Sequence, residues 1–502
     1  MRTAMNKQEM ISRFEQWEKK TAAYRYAEIM MGLDANALPP ASGSAARNEW
    51  QSVFAEEAFR IQNDPDIYAL ISRLLKEEDL DHEMRRKLQL HARSLGRSLN
   101  IPAAEYGAYR RALAESEQAW LKYKKEKNYA GYAPYLEKLV NAFRALSEKR
   151  ACGENLFDYL LEENEEGWNR EKYDAFFAEV RNELVPLIKE IAQRPQVRTD
   201  FLKKPYDPDR QRIYMQDILQ YIGFTADWGK LSESEHPLTT CVCSGDIRFT
   251  TKYRPYDGAA AVLSSVHEGG HAWFGHNVNS AYDGTILAEA ISAGLHESQS
   301  RLCENHLGRS LAFWQANYPG LQKMFPENLQ DISLETFWQG MNAVQPSLIR
   351  TEADELTYPL HIMIRYEIEK EIFDSHADIR TLNKLWNRKY KEYLGVDVPD
   401  DEAGILQDMH WPYAYFGYFP TYALGSARAA QFYAAMCRDI DPDALLRQNR
   451  FAEIMAWLKE HVHQYGALYT ADEIVEKATG EPFTAKYYTD YLKQKYSRIY
   501  GL

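Results

Sequence analysis

The sequence predicts a mainly α-helical protein with a small β element near its centre. Apolar side chains recur at helical spacing through most of the chain, and strand patterns are scarce. The stretch richest in chemistry, Val266-His267-Glu268-Gly269-Gly270-His271-Ala272, lies inside a helix-forming run. Neither an internal repeat nor a glycine-rich phosphate loop after a strand is present.

Taken in order, residues 7–32 place Ile11, Phe14, Trp17, Tyr24, Ile29 and Met30 on a helical stripe. Leu38-Pro39-Pro40 with Ser42-Gly43-Ser44 breaks it, and a second helix is expected from Ala45 into the Leu74 region. Amphipathic stretches follow near 81–96, 103–126, 133–149 and 168–193. Tyr123-Lys124-Lys125-Glu126-Lys127 is a local charge run that reads as a solvated helix face. Asp246 to Thr251 is the clearest strand, with Val344 to Thr351 as a second candidate, and helices resume to the C-terminus.

Composition narrows the function classes. Hydrophobic residues make up 45% of 502 residues, ample for a large core, and no linker divides the pattern. A net charge of −13 argues against nucleic acid or an anionic membrane surface as partner. Five scattered cysteines suggest reduced thiols, and Cys241-Val242-Cys243 lacks the second pair a zinc finger needs. The polar start and the absence of a long apolar run point to a cytoplasmic protein.

His267 and His271 stand one helical turn apart, so both imidazoles can reach one metal ion. Glu268 beside them can face a water in the open coordination position and act as general base. Asp257-Gly258 supplies the helix start. Gly269 and Gly270 each cost a helix about 1 kcal/mol relative to alanine, which makes sense where a second helix must approach closely. A catalytic zinc keeps three protein ligands, so a third is required. Phe274 and Asn277 stand where a His-x-x-Gly-x-x-His pattern needs glycine and histidine, so that pattern fails. Leu287 to Ser298 reads as the next helix. Its Glu297 has the small residues Gly294, Ala293 and Ala290 on the same face, suited to packing on Gly269-Gly270. Glu289, about 80° away around that helix, is the competing ligand, and His296 is either a supporting partner or a core histidine.

Several motifs in order resemble the thermostable-carboxypeptidase-type metallopeptidases of family M32. They are His236-Pro237-Leu238, Asp246-Ile247-Arg248-Phe249-Thr250, His267 to His271, His296-Glu297-Ser298, Ile349-Arg350-Thr351-Glu352-Ala353-Asp354 and Gly404 to Trp411. Leu238 departs from that pattern, which has phenylalanine there. The resemblance implies a helical fold with a deep groove between two lobes, similar to neurolysin and angiotensin-converting enzyme. It also implies a homodimer, a zinc-type ion (cobalt or another divalent ion as alternatives), and removal of single C-terminal residues from peptides with broad specificity. The whole chain is then one metallopeptidase domain, helical over about 1–230 and catalytic over about 231–502.

Beside that resemblance, Asp246, Arg248 and Thr250 share one face of their strand. A strand flanking the groove can pair with a substrate backbone and offer Arg248 to a carboxylate; a structural Asp246–Arg248 pair is the alternative. His410 and Tyr418, in an aromatic loop broken by Pro412 and Gly417, are candidate donors to an oxyanion, with Tyr415 as a second aromatic contact. Arg350 is the expected anchor for a substrate's terminal carboxylate, with Arg248 and Arg254 in reserve. An internal pair with Glu352, Asp354 or Glu355 is the alternative for Arg350, and an endo- or oligopeptidase of the same architecture is the alternative function.

Overall fold

The computed structural model describes residues 5–36, 41–98, 101–234 and 236–502. Helices dominate, as expected, and a single three-stranded sheet sits among the described residues. The break at Leu38-Pro39-Pro40 lies outside the described residues. Beyond it the expected second helix is two, Ser44–Gln62 and Pro65–Leu74. Asp64 forces the division, because its carboxylate accepts from Asp66 N–H while Pro65 occupies the first helical turn.

The first four helices carry a core of their own. Met10, Phe14, Trp17, Ile61, Ile71 and Leu88 are buried together there, apart from the main core that runs through the rest of the chain. Helix His82–Ser98 joins the two bodies through Arg86–Glu166 and Arg93–Glu162 ion pairs.

Strands β1 (Gly229–Glu233), β2 (Thr239–Cys243) and β3 (Asp246–Thr251) are ordered β1-β3-β2, with β1 parallel and β2 antiparallel to β3. β3 alternates as its sequence demands: Ile247, Phe249 and Thr251 are buried while Asp246, Arg248 and Thr250 face outward. Its central position corrects one expectation. Both edges of β3 are already paired, so it has no free edge for a substrate backbone. Cys241 and Cys243 are free thiols on β2. Val344 to Thr351 forms no strand. Pro346 lacks a donor, Val344 N–H donates to the Tyr500 hydroxyl, and Gln345 N–H donates to Asp354, so no ladder can assemble. Among the described residues no helix is long and apolar enough to cross a membrane.

Candidate metal centre and substrate site

The histidine helix, Ala260–Asn277, begins where the sequence places it, with Asp257 Oδ1 accepting from the amides of Ala259 and Ala260. The glutamate helix is shorter than expected. Leu287 to Ser298 is divided into Ile286–Glu289 and Ala293–Arg301, because Ser292 caps the second piece by accepting from Leu295 N–H. The division sends the two candidate glutamates apart. Glu289 pairs with Arg25, whereas Glu297 is buried between the two histidines.

His267, His271 and Glu297 bring their ligand atoms within 4.8 Å of one another. Glu297 Oε2 stands 3.5 Å from His271 Nε2 and 3.8 Å from His267 Nε2. Bonds of about 2.05 Å in a tetrahedron separate ligand atoms by about 3.3 Å, so this donor set fits a small divalent ion after a slight contraction. Gly270 makes the approach possible. A Cβ there would lie 2.6 Å from Gln299 O and 2.7 Å from Ser300 Cα, so only glycine admits this helix. The small residues expected on the facing side work differently. Gly294 packs on Glu165 rather than on the histidine helix, and Gly425 accommodates the Glu297 side chain.

Each histidine is oriented through its second nitrogen. His267 Nδ1 is 3.0 Å from Glu304 Oε2, and His271 Nδ1 is 2.6 Å from His296 Nδ1. Burial, and then the neighbouring His271, pushes His296 down to about 3, so it is a neutral partner. Glu304 lies in a π-helical continuation, Leu302–Gly308, of the glutamate helix, and sequence reasoning missed it. Arg301 Nε donates to Glu297 Oε1 at 2.7 Å, and Arg309 donates to Glu304. Burial alone would raise both carboxyls; the guanidiniums and histidines hold them well below the usual carboxylate range. Glu268 is buried beside this set, and Thr239 Oγ1 on β2 donates to its Oε2 at 2.5 Å.

On the facing side, His410 Nε2 is 3.1 Å from the Tyr422 hydroxyl, and its ring stacks on Phe419. Burial pushes His410 down to about 3 against the pull of Asp408, leaving it neutral. Burial and then Glu297 push Tyr418 up to about 12. Tyr422 also feels the Glu297 charge, and Tyr358 lies 3.4 Å from Arg350 Nη1 through its hydroxyl; no sequence pattern marks either tyrosine. Tyr415 is 53% exposed on the same loop. Glu369, fully buried, fastens that loop by accepting from Trp411 Nε1 and Gly417 N–H. Arg350 is buried, but its carboxylate is Asp408, at 2.9 Å, rather than the neighbouring acids expected. Arg365 holds the other oxygen of Asp408 at 2.5 Å. Arg248 is gripped by Asp246 through two hydrogen bonds, and Arg254 is exposed.

The family profile described as Carboxypeptidase Taq (M32) metallopeptidase matches residues 13–496. The chain belongs to the M32 carboxypeptidase family. It is 38% identical to Carboxypeptidase 1 of Bacillus subtilis (strain 168), over 96% of this chain and 97% of that protein. Thermostable carboxypeptidase 1 of Thermus thermophilus is 31% identical over 97% and 98% of the two chains. The crystal structure of an M32 carboxypeptidase from Deinococcus radiodurans R1 superposes with a TM-score of 0.94 at 32% identity, covering 98% of this chain and all of that one. This M32 chain is therefore a metallopeptidase, and its family implies a divalent ion. The two imidazoles and one carboxylate are a donor set that such an ion accepts.

Proposed function

We propose that this M32 enzyme is a zinc carboxypeptidase that removes single C-terminal residues from peptides with broad specificity, acting as a homodimer in the cytoplasm. Two neutral nitrogens and one carboxylate suit zinc, with cobalt the nearest substitute. A divalent ion bound by His267, His271 and Glu297 would acidify a coordinated water and polarise the scissile carbonyl.

The protein supplies the rest. Glu268, steadied by Thr239, takes the proton of the attacking water and hands it to the departing amine. Tyr418 keeps its proton to about 12 and donates to the oxygen on which negative charge develops, with the His410–Tyr422 pair as the second donor. Tyr415 on the exposed lip touches the substrate's side chains. Arg248, occupied by Asp246, is the weaker candidate for the substrate carboxylate.

The observation that carries exopeptidase action is the buried Arg350–Asp408–Arg365 triad. Two guanidiniums share one carboxylate, so the triad has an unbalanced positive charge in a water-poor setting. Glu369, the next acid, is pushed up to about 8 by burial and does not neutralise it at pH 7. Arg350 Nη1 lies 3.4 Å from the Tyr358 hydroxyl, and the Tyr358 ring packs under Arg301, which pairs with Glu297. A terminal carboxylate completes this charge pattern; an internal peptide bond does not. The test compares paired peptides ending in an acid or an amide. The wild type should cleave the acid at least a hundred-fold faster, and Arg350→Ala should lose most of that difference, since removing one partner of a buried pair costs several kcal/mol. Equal wild-type cleavage of both would make the endopeptidase reading the better one.

A further inference from the structure

A cavity of about 710 Å³ separates the N-terminal helices from the catalytic body. Five arginines line it: Arg25, Arg86, Arg93, Arg97 and Arg150. Four are matched to carboxylates, through Arg25–Glu289, Arg86–Glu166, Arg93–Glu162 and Arg97–Glu162. Arg150 is not. Among the described residues it has no ion pair, and its Nε is buried without a hydrogen-bond partner. A buried guanidinium donor with nothing to receive it costs stability, which a ligand carboxylate would offset. Water is scarce around these guanidiniums: burial pushes Arg93 below its ordinary value even though Glu162 and Glu166 pull it up.

The cavity's place relative to the site gives the ligand's direction. Its lining includes Ala290 to Ala293 and Leu295, the start of the glutamate helix, and Asn164, which donates to Phe416 O on the aromatic loop. Arg301, Tyr358 and Arg350 lie at the other end of that helix, with Arg301 packed over the Tyr358 ring at 4.3 Å. The nine residues Ala293–Arg301 span about 13 Å, with Glu297 between the two ends. A peptide whose C-terminal carboxylate rests at Arg350 therefore sends its upstream residues toward the cavity.

We propose that this cavity is a specificity subsite for an acidic side chain of the substrate, upstream of the scissile bond, with Arg150 as the residue that recognises it. The direction of the peptide rests on the Arg350 anchor; the recognition of an acid does not. An extended chain advances about 3.3 Å per residue, so the acid should stand roughly three to five residues from the C-terminus.

The test scans one glutamate or glutamine through those positions in six-residue acetylated peptides, with kcat/KM as the readout. The wild type should favour glutamate over glutamine at one position by about ten-fold, the size of one charge-assisted hydrogen bond. Arg150→Gln should bring the ratio near one, and Arg150→Lys should retain part of it. Equal wild-type rates for glutamate and glutamine at every position would overturn the subsite, as would a ratio unaltered in a folded Arg150→Gln variant. Acid and amide forms of the same peptides keep the two readings apart. Equal cleavage of acid and amide sinks the anchor alone, and equal cleavage of glutamate and glutamine sinks the subsite alone.

Discussion

Gly270→Ala is a sharp test of how the proposed metal donors are assembled. Alanine is the better helix former by about 1 kcal/mol, so propensity alone predicts a more stable protein. The contact predicts the reverse. The added Cβ would lie 2.6 Å from Gln299 O, 0.8 Å inside the 3.4 Å at which ordinary contact begins. Both close neighbours are backbone, so the glutamate helix must retreat as a body, and overpacking of this kind costs about 1–3 kcal/mol. A retreat of about 0.8 Å would carry the Glu297–His271 gap from 3.5 Å to about 4.3 Å, beyond what a tetrahedral ion spans. Metal affinity, measured by chelator competition, should fall by at least the 10- to 100-fold typical of losing a supporting partner. Two controls fix the sign. Gly269→Ala meets only the flexible Ile222 Cδ1, at 2.9 Å, and should be milder. Gly32→Ala, with open space around it in helix Lys7–Asn36, should raise the melting temperature. Unchanged metal affinity in a folded Gly270→Ala variant would refute the argument.

Three further outcomes follow from the same geometry. Glu268→Gln should retain metal and lose turnover by about 10²- to 10⁴-fold, whereas His271→Ala should lose metal and turnover together; a Gln variant near wild-type rate would require another base. Glu304→Gln should weaken metal binding about 10- to 100-fold by releasing His267 Nδ1, with catalysis recovering at saturating metal; a catalytic loss that saturation leaves intact would count against an orienting role. Glu369 binds its proton more tightly folded, at about 8, than unfolded, at about 4.3, so its contribution to stability is complete below the lower value and disappears as pH rises to the upper one. Melting temperature should fall across that window in the wild type and fall less in Glu369→Gln; parallel curves would show that Glu369 does not set the slope.

Much of this was written in local sequence. Helical class, the paired histidines, the Asp257 start and the alternation of β3 depend on residues within a turn or two of each other, where propensity and periodicity act directly. Glu297 sits on a helix that local sequence announces, but its small neighbour Gly294 packs on Glu165 rather than on the histidine helix. What escaped is held by distant partners. β1 and β2 have no strong strand pattern of their own and exist because β3 pairs with them. Asp408 reaches Arg350 and Arg365 from 58 and 43 residues away, so nearby acids looked like better partners for Arg350 than they are. Glu304 is seven residues beyond Glu297, and its approach to His267 occurs within a π-helical turn that no periodicity announces.

The two glutamates of the site are provisioned in opposite ways, and the difference suits the role proposed for each. Glu297 gives Oε1 to Arg301, which leaves Oε2 turned to both histidines and keeps the group anionic in a fully buried place. Such a carboxylate makes a fixed ligand and a poor base, because the guanidinium that pins it also lowers its affinity for a proton. Among the described residues no cation pairs with Glu268. Its partner is the Thr239 hydroxyl, a neutral donor that can rotate when the carboxylate takes up a proton. Placing an arginine against Glu268 would therefore slow proton uptake even with metal and substrate bound, and removing Arg301 from Glu297 would loosen the metal without touching the base.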